Sequence, residues 1–109
     1  MLPRTTFTKI WLVKNVGSCT WTTSYALVYL DGEQFSTPTS LPLPMNVAPG
    51  QTIEVSINMI APSIVGSYRG YWIFKNASGS LFGAGPKGYE ALWVEINVFD
   101  PTPTPTLNL

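Results

Sequence analysis

Residues 52–59 alternate without a break: Ile53, Val55, Ile57 and Met59 interleave with Thr52, Glu54, Ser56 and Asn58. Successive side chains of an extended strand point to opposite sides, so this segment predicts a strand with one buried and one solvated face. The same period runs through 67–75 (SYRGYWIFK) and 90–99 (EALWVEINVF). In the first of these, Tyr68, Gly70, Trp72 and Phe74 form one set and Arg69, Tyr71, Ile73 and Lys75 the other. In the second, Leu92, Val94, Ile96 and Val98 read as inward, with Trp93, Glu95 and Asn97 outward. The run 7–15 (FTKIWLVKN) places Phe7, Trp11 and Val13 inward and Thr8, Ile10, Leu12 and Lys14 outward, although both of its faces carry apolar residues.

No stretch carries a helical period. A further run, 24–31 (SYALVYLD), ends at Gly32, and Gly, Pro, Asn and Ser punctuate the chain at the spacing of a β-sandwich. The fold expected is therefore all-β and antiparallel. Prolines in 36–50 (STPTSLPLPMNVAPG) exclude a central strand there. Residues 1–100 read as one domain, and 101–109, opening PTPTPT, as a stiff Pro/Thr-rich linker that cannot pack a core.

Composition narrows the functions open to such a domain. Histidine is absent and Cys19 is the single cysteine. General acid–base catalysis most often uses histidine, a Ser or Cys nucleophile would lack its usual base, and one cysteine is not a zinc cluster. The expectation is a non-enzyme with no catalytic residues, no cofactor and no metal. Asp31 and Glu33 pair closely, but Gly32 between them supplies the positive φ of a polar hairpin turn, and calcium would want more oxygen ligands. GAGPKG (83–88) lacks the Gly-Lys-Ser/Thr ending of a phosphate loop. Six basic and six acidic residues are scattered singly, which argues against nucleic acid, and no apolar run approaches the roughly 20 residues of a membrane span. Asn76-Ala77-Ser78 matches a glycosylation sequon on a turn-rich loop.

Four tryptophans remain to be placed: Trp11, Trp21, Trp72 and Trp93. Together with FTKIWLVKNVGSCTW (7–21), VAPGQTIEVSI (47–57), APSIVGSYRGYWIFKN (61–76), LFG (81–83) and LWVEINV (92–98), they resemble the four-tryptophan domain. That family is an immunoglobulin-like β-sandwich found in a selective-autophagy cargo receptor of eukaryotes and in bacterial, often surface-associated, proteins. The resemblance covers residues 6–99. It implies a non-catalytic protein- or peptide-binding or structural module of a larger protein. The PTPTPT tail, a linker typical of modular extracellular proteins, adds the expectation of a bacterial extracellular or cell-surface setting. Family members usually carry a further strand before the F-T-K-x-W segment, so the first edge strand is expected to be short or missing. Strand 7–15 would then have an open edge, available for homodimerisation or strand addition.

Alternation makes Trp11 and Trp72 core residues, along with Val55, Ile57, Val94 and Ile96. The immunoglobulin-like topology puts the loop bearing Trp21 at the same end as the 76–89 loop with Phe82 and Tyr89, and brings Trp93 near. Trp21, Tyr71, Phe82, Tyr89 and Trp93 are thus the expected partner-binding residues. Val28 and Leu30 would extend this surface beside Tyr71 and Ile73, unless 76–89 or 36–50 folds over it. The rival reading is a carbohydrate-binding sandwich that stacks sugar rings on Trp93, Tyr71 and Trp21.

Overall fold

The computed structural model describes residues 1–83 and 91–99. Among the described residues, seven strands form two antiparallel sheets: β1 (Thr6–Lys14), β2 (Ala26–Gly32), β3 (Ser40–Pro42), β4 (Thr52–Ile60), β5 (Gly66–Lys75), β6 (Leu81–Phe82) and β7 (Leu92–Val98). β1 and β4 make a two-stranded sheet, paired from Thr6↔Ile60 to Lys14↔Thr52. The other sheet runs β3-β2-β5, and β6 and β7 share the far edge of β5. The proline-bearing strand β3 lies at a sheet edge, where a missing N–H costs no ladder bond.

The inward sets of the strands meet between the sheets. Ile53, Val55, Ile57 and Met59 from β4 face Leu27, Trp72, Phe74 and Val94 in one buried cluster. Trp72, 1% exposed, is its hub: its ring lies 5.9 Å from Trp11, 5.9 Å from Tyr29 and 6.2 Å from Phe35. Trp11 and Ile96 sit at the margin of this cluster, half-buried and packed against it.

Two loops supply core residues that alternation does not reach. Phe35 has φ of 54° and Ser36 of 59°, which turns the chain after β2 so that Phe35 enters the core and stacks on Trp72. Farther on, Leu43 and Val47 are buried as the Pro-rich segment crosses to β4. Gly32 does have positive φ, 81°, but no tight hairpin forms there: β2 runs on through Gly32, which pairs with Gly70.

Asn15 is the most important polar residue inside. It is fully buried, donates through Nδ2 to the carbonyls of Cys19 (2.8 Å) and Val47 (2.9 Å), and accepts from the Gly17 N–H (3.0 Å) through Oδ1. One side chain thus ties the loop after β1 to the segment before β4. Asn15→Ala should cost about 1–3 kcal/mol, because it removes three hydrogen bonds made by one buried side chain and unties the two segments they join. Urea denaturation would show this as a lowered midpoint with an unchanged slope.

Candidate binding surface on the outer face of the larger sheet

The register between β5 and β7 sets Tyr71 opposite Trp93, Arg69 opposite Glu95 and Ser67 opposite Asn97. All six side chains stand on the outer face. The Arg69 guanidinium lies over the Trp93 ring, 4.7 Å from its centroid, and donates to Glu95 at 2.9 Å and to the Tyr71 hydroxyl at 3.4 Å. These hydrogen bonds, donated to Tyr71 and Glu95, hold the arginine pKa above its ordinary value. Ser67 donates to Asn97 at 2.7 Å, extending the ordered polar row. Trp93 remains 51% exposed within it.

On the other side of β5, Val28 pairs with Ile73, and both are half-buried. A β-bulge between Tyr29 and Asp31 changes the neighbour expected for Tyr71. Asp31, not Leu30, stands opposite it, and Leu30 is the extra, exposed residue of the bulge. The outer face therefore joins an apolar strip of Val28, Ile73, Tyr71 and Trp93 to a charged border of Asp31, Arg69 and Glu95. The Pro-rich segment does not cover this strip: β3 extends the sheet sideways and Leu43 turns into the core.

Trp21 requires a correction. Expected as an exposed contact at the loop end, it is only 9% exposed, and its backbone exchanges hydrogen bonds with Val47 (2.9 and 2.8 Å). Its ring packs 5.3 Å from Phe74 and 5.6 Å from Phe82. Phe74 is on the inward face of β5 and Trp93 on the outward face of β7, so the sheet separates Trp21 from Trp93. Phe82 is half-buried and stacks on Phe74 at 5.5 Å, with Tyr25 edge-on at 5.8 Å. Trp21, Tyr25 and Phe82 line a 260 Å³ cleft together with Gly17, Ser18, Cys19 and Asn76. Residues 84–90, which hold Tyr89 and the later part of the 76–89 loop considered as a cover for the outer face, lie outside the described residues, as do 100–109.

Asn76 spends its Oδ1 on the N–H groups of Ser78 (3.0 Å) and Ser80 (2.9 Å), so its place in the sequon is also that of an Asx turn. Among the described residues, no three of the metal-ligating types His, Cys, Asp and Glu come together.

Two packed antiparallel sheets with an aromatic strip on the outer face of the larger one define an immunoglobulin-like sandwich. Residues 1–98 match the family described as the Ig-like domain from next to BRCA1 gene, and the chain belongs to that family. It is 36% identical over 101 residues to Protein JOKA2 of Solanum tuberosum, covering 90% of this chain and 11% of that protein. It is 30% identical over 96 residues to Protein ILRUN of Danio rerio, covering 88% of this chain and 31% of the relative. It is 31% identical over 99 residues to the NBR1 homolog of Arabidopsis thaliana, covering 88% of this chain and 13% of the relative. The chain thus spans no more than about a third of the curated relatives it matches. These relatives are plant and zebrafish proteins, which overturns the expected bacterial extracellular or cell-surface setting.

Proposed function

We propose that this chain is a non-catalytic protein-interaction module that engages its partner through the outer face of the larger sheet. The observation carrying this reading is the half-exposed Trp93, held in place by Arg69 and bordered by Tyr71, Glu95 and Asp31. Trp, Tyr and Arg are the residue types enriched among interface hot spots, and an apolar strip with a charged rim has the usual anatomy of an interface. Family membership supports the same reading, as the resemblance to a cargo-receptor domain leads one to expect. Residues 101–109 would serve as a stiff spacer.

A sugar-binding platform is less well supported. It needs bare, coplanar ring faces, whereas Arg69 lies on Trp93 and Tyr71 is half-buried. Trp93→Ala should shift the melting temperature by only a few degrees, because the ring is outside the core, yet abolish capture of the partners that wild type retains. Quantitative affinity capture from eukaryotic lysate, read by mass spectrometry, compares the two. Identical partner profiles would sink the outer-face assignment. A specific signal on a glycan array, lost in the same variant, would favour the sugar reading.

A further inference from the structure

The strand edges that bound the two sheets are not equally open. On β7, the Trp11 indole Nε1 donates to the Trp93 carbonyl at 3.3 Å, while Met1 bonds to Asn97 and Phe99. The β3 edge carries Pro42. The β4 edge meets the loop after β2, where the Ile60 N–H donates to the Phe35 carbonyl at 2.9 Å. Among the described residues, nothing pairs with the outer edge of β1. Native sheets rarely leave such an edge unblunted.

The chemistry of that edge can be read residue by residue. The Thr5 carbonyl accepts from the Ala61 N–H, and the Asn15 N–H donates to the Gln51 carbonyl, so odd-numbered residues bond towards β4. Alternation then turns the N–H and C=O groups of Thr6, Thr8, Ile10, Leu12 and Lys14 outward. On the same residues, the side chains of Ile10 and Leu12 are 49% and 75% exposed. Free ladder groups and exposed apolar side chains coincide on one nine-residue strand.

We propose that a second copy of this chain occupies the edge, joining β1 to β1 antiparallel about a two-fold axis at Ile10. The register is dictated by the strand itself: centring on Ile10 is the one alignment that pairs Thr6–Lys14 along its whole length. It sets Ile10 against its own counterpart, Leu12 against Thr8 and Lys14 against Thr6, each a hydrogen-bonded pair as the outward groups require. Ile10 and Leu12 of both copies then form one apolar cluster on the outer face. No like charges stand directly opposite: Lys14 faces a threonine, and Lys9, whose Nζ lies 5.8 Å from its own Trp11 ring, faces the Trp11 of the other copy. The two-stranded sheets become one four-stranded sheet. Strand-to-strand pairing alone buries less than about 1,000 Å², so the dimer is expected to be weak, with a dissociation constant of roughly tens to hundreds of micromolar.

Sedimentation equilibrium of the 109-residue chain over 5–500 µM (about two decades of concentration, bracketing that range) tests this. The expected result is a rise from the 11.9 kDa monomer towards twice that mass. Ile10→Lys, which puts two like charges on the axis of a solvent-facing position, should weaken association at least tenfold without lowering the melting temperature appreciably. In a Cys19→Ser background, Ile10→Cys should oxidise to a disulfide-linked dimer, since directly paired residues lie about 5.5 Å apart. Ser56→Cys, beside Ile10 but away from the axis, should not. A chain that stays monomeric to 500 µM, or a dimer indifferent to Ile10→Lys, overturns the proposal. Trp93→Ala should leave association unchanged, so failure here and failure of the outer-face reading are separable.

Discussion

Trp72→Ala is expected to destabilise the domain by about 3–5 kcal/mol, the range for removing a large buried aromatic. Trp72 is 1% exposed and is the common neighbour of Trp11, Tyr29 and Phe35, so its loss leaves rings from both sheets and from the loop after β2 facing a void. Flat side chains fixed by strand pairing cannot collapse into that space. A small domain holds only about 5–15 kcal/mol of stability, so the variant should unfold at much lower urea or fail to accumulate folded. A melting temperature within a few degrees of wild type would refute the hub role. Trp72→Phe makes a sharper comparison. Among the described residues the buried Trp72 indole N–H has no hydrogen-bond partner, so phenylalanine loses volume but also removes a donor unsatisfied by them. Its cost should be well below that of alanine.

Gly70→Ala is the second large effect, about 3 kcal/mol, and it works by crowding rather than by emptying. A Cβ at Gly70 would lie 2.1 Å from the Glu33 carbonyl oxygen and 2.8–2.9 Å from the six-membered ring of Trp72. The oxygen is main chain, and the Glu33 N–H is hydrogen-bonded to the Arg69 carbonyl at 2.9 Å, so the segment cannot simply retreat. The tryptophan cannot yield either without disturbing Phe35. Gly70 therefore makes room both for the crossing at the end of β2 and for the ring two residues later. Near-UV circular dichroism should report displacement of Trp72 even where the fold survives. A loss under about 1 kcal/mol would show that the crossing is softer than its geometry implies.

These two residues also mark how far the sequence was legible. The faces of β1, β4, β5 and β7 follow from simple alternation, because in a paired strand the direction of a side chain is a local property of the backbone. The outer-face grouping of Tyr71 with Trp93 follows from the same rule. Leu30 escaped it: a bulge inserts one residue and shifts every later neighbour, and Tyr29-Leu30-Asp31 carries no mark of that insertion. Trp21, Phe35 and Asn15 escaped for a different reason. Their burial depends on where a loop crosses the sandwich, set by partners such as Val47 and Trp72 that are distant in sequence. The N-x-G run at 15–17 was a usable signal for Asn15, since an asparagine bonding the N–H two residues on makes an Asx turn.

The pairing of β1 with β4 has a consequence for synthesis on the ribosome. β1 emerges first, yet its ladder partner within the domain ends at Ile60. Until that residue clears the exit tunnel, a strand carrying Ile10, Trp11 and Leu12 travels with both edges bare. Chains translated at about 5–20 residues per second would spend several seconds in this state. The nascent domain is then most exposed to chaperone capture, or to misjoining with a neighbouring chain on the same polysome, before half of its final strand order exists.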